Sequence, residues 1–212
     1  MHRAGAAFEP EARPVVLLHG LGRTSASMYL LARRLRLASL NAESVAYPST
    51  RLSLAAACEF VRNALMERYG SSRVDLVGHS LGGVIDRRLC RSEEPPGVRR
   101  VVQIGAPNLG SPLADRLGPF WAVRTACGPA IEDLRAIDER IPVDPRVTAI
   151  AGILSTRAMK GPNDGAVPVR SAWAGAAHRH RVRQVHTLLL VSRQVARLVI
   201  EALKAERAAA RP

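Results

Sequence analysis

Five consecutive residues, Gly78-His79-Ser80-Leu81-Gly82, constrain this chain more than any others. They follow the apolar run Val74-Asp75-Leu76-Val77 and precede Leu81 to Cys90, where apolar residues recur at helical spacing. A chain passing from strand to helix within so few residues must turn sharply. Glycines at both ends of the pentapeptide permit that turn, and Gly83 falls where the helix must pass close to neighbouring strands. Such a strained turn projects its central hydroxyl from the sheet edge, which makes Ser80 the candidate nucleophile against the plainer reading of a structural turn serine.

Strands and helices alternate along most of the chain. Pro14-Val15-Val16-Leu17-Leu18 reads as a buried parallel strand ending at His19-Gly20. Met28, Leu31 and Leu35 mark a helix, and Ser44 to Tyr47 a short strand stopped by Pro48. Ser53 is placed to cap a helix with the stripe Leu54, Cys58, Val61 and Leu65, ending near Gly70. Further strands are expected at Val74–Gly78, Val101–Gly105 and Val147–Ala151. A last helix is expected over Leu188–Leu203, with Val191, Val195, Leu198 and Ala202 on one face. The alternation predicts an α/β fold with a mostly parallel central sheet and helices on both faces. At 212 residues one domain suffices, taken as 14–204, with an N-terminal extension over 1–13 and a tail over 205–212. Between 108 and 146, Gly110, Pro112, Gly118, Pro119, Gly128 and Pro129 punctuate short helical pieces at Leu113–Leu117 and Ile131–Ile137. That stretch is expected to be a cap-like insertion over the carboxyl edge of the sheet.

A serine nucleophile needs a proton acceptor, and the acceptor needs a partner that fixes its tautomer. Of six histidines, only His178, His180 and His186 follow Ser80. His186 stands just before the last helix, whereas His178 and His180 lie among Arg179, Arg181 and Arg183 on what reads as a solvated face. His186 is the candidate general base and His180 the alternative. Asp164, in Gly161-Pro162-Asn163-Asp164-Gly165, is the candidate acid, with Asp115, Asp133, Asp138 and Asp144 as competitors. The oxyanion would be met by the backbone N–H groups of Leu81 and Leu21.

These segments resemble the lipase/esterase branch of the α/β-hydrolases, particularly small bacterial lipases. The likeness rests on Val15 to Gly22, Gly78 to Gly83, Ile104 to Ser111 and Asn163 to Pro168, in that order, with His186-Thr187-Leu188 as the final block. It covers about residues 14 to 204. The resemblance implies a Ser80–His186–Asp164 triad, no required cofactor, and hydrolysis of an acyl ester or lipid through an acyl-enzyme. No His/Cys/Asp cluster has ligand spacing, so no metal is expected, although some relatives in this branch bind one structurally. His19, Gly20, His79, Phe120, Trp121 and Val167 are the candidate substrate-binding residues. The insertion is short for a large mobile lid, so an esterase or small lipase with a modest acyl pocket is expected. The same triad would also serve an acyltransferase, a thioesterase or an amidase, and the fold alone would serve a non-catalytic binding protein.

Composition narrows the remaining classes. The formal charge is +13, almost all of it from arginine, and only Lys160 and Lys204 are lysines. The basic residues are scattered and aromatics make up only 4%, so nucleic acid is not the expected partner, although a basic surface could rest on anionic lipid. Cys58, Cys90 and Cys127 show no metal-ligand spacing and no disulfide framework. With no apolar leader in Met1 to Pro14, a cytoplasmic location is the expectation; a secreted form already trimmed would look the same.

Overall fold

The computed structural model describes residues 13–135, 141–155, 159 and 161–209. In chain order the elements begin with β1 (Pro14–Leu18), α1 (Tyr29–Leu37), β2 (Asn41–Val45), α2 (Leu54–Tyr69), β3 (Val74–His79), α3 (Leu81–Arg91) and β4 (Val98–Ile104). Three short helices follow, α4 (Pro112–Leu117), α5 (Trp121–Cys127) and α6 (Ala130–Asp133). The chain then forms β5 (Asp144–Gly152), α7 (Val169–Ala172), β6 (Ala176–Val182) and α8 (Arg193–Ala209).

Six strands form one sheet in the order β2-β1-β3-β4-β5-β6, and every neighbouring pair is parallel. β1 explains its own sequence. Val16 and Leu18 pack into the layer that holds α2 and α3, whereas Val15 and Leu17 pack into the layer that holds α1 and α8. A strand buried on both faces has no polar side to present, so it reads as continuously apolar. Each such Val or Leu contributes about 1.5–3 kcal/mol by leaving water. The strands on either side of β1 are β2 and β3, so chain direction along the sheet reverses there. The carboxyl ends of β1 and β3 therefore open onto a crevice.

The structure departs most from the sequence reading at the two sheet edges and at the start of the last helix, while β4 and β5 extend further toward their amino ends than expected and α6 ends at Asp133. β2 spans Asn41–Val45 instead of Ser44–Tyr47; as an edge strand it carries Asn41 and Glu43, and Tyr47 beyond it stacks on His19 with ring centroids 4.3 Å apart. β6 reads as a solvated face because it is the opposite edge, with His178, Arg179 and Arg181 exposed. The final helix begins at Arg193, because the Ser192 hydroxyl accepts the Val195 N–H and His186–Val191 forms a 3-10 turn ahead of it. Its buried stripe is Val195, Val199 and Leu203. Val191 is half-exposed, and Leu198 and Ala202 are only partly buried.

One buried group has no explanation in packing alone. Asp86 on α3 is wholly buried, and among the described residues neither of its carboxyl oxygens has a hydrogen-bond partner. Burial pushes its carboxyl well above the usual carboxylate range, which favours the neutral acid in the folded chain. The folded state therefore holds a proton that the unfolded chain releases as pH rises past about 4. Stability contributed by that proton is present at low pH and is lost at about 1.4 kcal/mol per pH unit until the folded-state pKa is reached. Asp86→Asn removes this dependence. Urea denaturation across pH 4–8 is expected to show the variant gaining stability over the native chain as pH rises; parallel curves would contradict the assignment.

Candidate active site

Ser80 is the residue between β3 and α3, and its backbone is strained. It sits at φ 53°, ψ −120°, a region costing on the order of 1–3 kcal/mol for a residue with a side chain. The surroundings hold it there. Its N–H donates to the Ile104 carbonyl at 3.0 Å, and its carbonyl accepts the N–H of Gly83 at 3.0 Å. The flanking glycines are required by contact: a β-carbon on Gly78 would run into Gly83 and Asp86, and one on Gly82 into the backbone of Leu18 and His19. A β-carbon on Gly83 would stand 2.7 Å from that of Ala106. The turn thus presses α3 against β1 and β4 and leaves the Ser80 side chain half-buried at the crevice.

His186 and Asp164 come from loops at the carboxyl ends of β6 and β5. His186 Nδ1 and Asp164 Oδ2 are 2.8 Å apart, and the His186 N–H donates to the Asp164 carbonyl at 2.8 Å. A carboxylate only accepts, so Nδ1 carries the proton and Nε2 is left as an acceptor. The other carboxylate oxygen accepts the N–H groups of Ala166 at 3.0 Å and Val167 at 2.7 Å. Asn163 builds that loop: its Oδ1 accepts the Gly165 N–H at 2.9 Å and its Nδ2 donates to the Gly161 carbonyl at 2.8 Å. Gly105, at φ 59°, makes room beneath the pair, where a β-carbon would sit 3.1 Å from His186 Nδ1 and 3.2 Å from Asp164 Oδ2.

Ser80 and His186 line one cavity of about 230 Å³, together with Leu21, Leu113, Val123, Ile131, Leu134 and Val167. Its walls are mostly apolar and come largely from the insertion, whose α4–α6 lie over the crevice. Gly128 there passes so close to the Thr50 carbonyl that no side chain would fit, and the Leu54 N–H at the start of α2 donates to Asp133 at 2.8 Å. The loop after β1 is fixed by the Tyr47 hydroxyl on the His19 carbonyl at 2.6 Å and by the Gly22 N–H on Ser49 Oγ at 3.2 Å.

Of the six lining candidates, only Val167 faces the cavity. Phe120 and Trp121 point outward, with 60% and 79% of their surface exposed, because the amphipathic α5 turns Val123 and Cys127 inward instead. His19, Gly20 and His79 lie beneath the floor. His79 Nε2 approaches the His186 carbonyl at 3.3 Å, the two imidazole centroids are 4.8 Å apart, and Gly20 lies against His79 and Ser80. The competing acids go elsewhere: Asp133 holds α2, Asp144 pairs with Arg146 at 2.7 Å, Asp115 lies near Arg135 on the insertion, and Asp138 lies outside the described residues. His180 stands on β6 away from the cavity. Sequence reading missed Pro107, Ser111, Cys127, Ile131 and Leu134 as lining residues; the last four were signalled only by their place in an apolar insertion, and Pro107 just precedes it.

The sequence profile of the α/β hydrolase fold matches residues 13–136, more than half of the chain. The chain belongs to the α/β-hydrolase family. Among solved structures, this α/β-hydrolase is similar to the mature form of Bacillus licheniformis lipase BlEst2, with 21% identity and a TM-score of 0.69 over 92% of this chain and 93% of that one. It is also similar to the product of gene lin2722 from Listeria innocua (20%, TM-score 0.61, 92% and 94% covered). A third is the RedJ thioesterase from the prodiginine biosynthetic pathway in Streptomyces coelicolor (16%, TM-score 0.59, 96% of both chains). At these identities the likeness is one of fold. No curated protein matches the chain.

Two outcomes follow from this packing. Gly82→Ala is expected to lose about 3 kcal/mol of stability in thermal denaturation, because a backbone has to move aside. Burial, with His186 adjacent, lowers the His79 pKa to about 3, against an ordinary value of 6.5. Its contribution to stability is therefore present above pH 6.5 and lost as pH falls toward 3. His79→Asn is expected to flatten the acid limb of the stability profile over that range.

Proposed function

We propose that this protein is a serine hydrolase of carboxylic esters with small acyl groups, working through an acyl-enzyme on Ser80. One observation carries the reading: a strained, crevice-facing serine and a histidine held by a buried carboxylate line the same small apolar cavity. The substrate carbonyl enters beside Ser80 with its acyl chain against Val123, Ile131 and Leu134. His186 Nε2 takes the hydroxyl proton as Ser80 Oγ bonds to the carbonyl carbon, and the carbonyl π electrons move onto oxygen. The N–H groups of Leu81, at the start of α3, and Leu21 meet that oxyanion; one such donor is typically worth about 3–4 kcal/mol of barrier. When the intermediate collapses, the ester C–O bond breaks and His186 returns the proton to the departing alkoxide. Water then repeats the sequence on the acyl-enzyme, releasing the acid and restoring Ser80. Asp164 keeps the imidazole in the tautomer this requires and stabilises the imidazolium.

Ser80→Ala is expected to lower hydrolysis of p-nitrophenyl esters by up to about a millionfold with the melting temperature unchanged, and Asp164→Asn by about ten-thousandfold. Retained hydrolysis in pure Ser80→Ala would remove the serine from the mechanism. In an acyl-chain series, kcat/KM should peak at short chains, because the cavity is below the roughly 300 Å³ of a typical ligand pocket. Product analysis with methanol competing against water separates hydrolysis from acyl transfer.

A further inference from the structure

We infer that the acyl donor carries a phosphate-class anion on an extended arm, held in a second compartment beside the acyl cavity. This rests on the proposed acyl-enzyme on Ser80 and narrows its donor to a thioester, whose C–S bond breaks in place of the ester C–O bond while His186 returns the proton to the departing thiolate. The compartment is a cavity of about 270 Å³ beside α3, lined by Val84, Arg87, Arg88, Arg91, Pro107 and Asp133 among others. It adjoins the site directly. Pro107 lines both cavities, Asp133 and Leu134 are chain neighbours that line one each, and Val84 is about one turn of α3 beyond Ser80.

Its chemistry is the reverse of the acyl cavity's. Among the described residues three arginines line it with one carboxylate, which already accepts the Leu54 N–H. Arg87 is buried and engaged within the fold, so the exposed Arg88 and Arg91 are the guanidinium groups that would meet a ligand there. Arginines near a helix C-terminus also complement the helix dipole, but the dipole does not require them to open on one cavity next to the nucleophile. A guanidinium pairs with phosphate through parallel hydrogen bonds, so this lining suits a phosphate better than a neutral leaving group. The chain's formal charge of +13 draws anionic substrates toward it.

Spacing selects the source of the phosphate. At 1.5 Å of rise per residue, Arg87 to Arg91 lie about 10–16 Å along the α3 axis from Ser80. A glycerophospholipid carries its phosphate only a few bonds from the ester carbonyl, too close for this geometry. A thioester on a phosphorylated pantetheine-type arm puts the phosphate at the far end of a linker with two amides. The acyl chain would occupy the apolar cavity, the arm would cross Pro107, and the phosphate would meet the arginines.

The test compares butyryl-coenzyme A, neutral p-nitrophenyl butyrate and dibutyryl-phosphatidylcholine as substrates. Each is measured with the native protein, with Arg88→Glu/Arg91→Glu, and with Arg33→Glu/Arg73→Glu, an equal charge change on exposed residues away from both cavities. The site reversal is expected to raise KM for butyryl-coenzyme A by on the order of tenfold or more, relative to the neutral ester, with kcat little altered. The distant reversal should shift that ratio far less. Equal responses to both reversals, or none, would overturn the inference, since only general charge would be at work. A response confined to phosphatidylcholine would overturn the extended arm. If no acyl substrate turns over, the ester reading fails on its own, and calorimetry with coenzyme A decides this inference: binding abolished by Arg88→Glu/Arg91→Glu upholds it, and absence of binding to the native protein ends it.

Discussion

Everything in this site depends on one tight place, the turn from β3 into α3. Ser80 holds a positive φ that a residue with a side chain adopts only under compulsion. The compulsion comes from three glycines that let α3 press onto β1, β4 and the chain after β4. That single close approach sets the hydroxyl at the crevice and starts α3 immediately behind it. The first N–H groups of a helix have no partners within it, so the same turn leaves donors beside the hydroxyl. Strain at one residue is thus offset by the packing of a whole layer, and widening the contact by one methyl group would undo both.

The opposite wall of the site is assembled by other means. Asp164 and His186 are held by backbone hydrogen bonds on short loops, not by a strained turn. The carboxylate is fully committed, with two N–H groups on one oxygen and the imidazole on the other. Beneath the imidazole, His79 is kept neutral by burial and lies against the backbone of His186, so the floor under the site adds no competing positive charge. The insertion closes the third side with aliphatic residues and is itself pinned through Gly128, Asp133 and Ser111, the last donating to the Ala166 carbonyl at 2.6 Å. A small, mostly apolar cavity with one polar wall is what remains.

How much of this is legible in the sequence follows from what each signal encodes. Strands buried on both faces, such as β1 and β3, announce themselves as apolar runs, and the Ser80 turn is written in its glycines. The edge strands are announced poorly: β2 is legible only at its carboxyl end, where Ser44 and Val45 precede Pro48, and Asn41, Glu43, His178 and Arg181 answer to solvent and carry no period that identifies a strand. The start of α8 is set by the Ser192 hydroxyl, a cap hidden within an apolar stretch that looks helical throughout. In the insertion, composition marks an apolar cap but not its inward face; α5 presents Trp121 to solvent and Val123 to the cavity, a choice made by rotation of two short turns. The basic compartment is unreadable in the chain, since Arg87, Arg88 and Arg91 look like any other arginines until Pro107 and Asp133 are folded beside them.

The most direct measurement of the central claim, that Ser80 is a nucleophile activated by His186, is mass spectrometry after treatment with an organophosphate that reacts with activated serines. One adduct per chain is expected, on the peptide containing Ser80 and on no other hydroxyl, and it should disappear in His186→Ala with the fold intact. A native protein left unlabelled, or labelled on a different serine, would contradict the account.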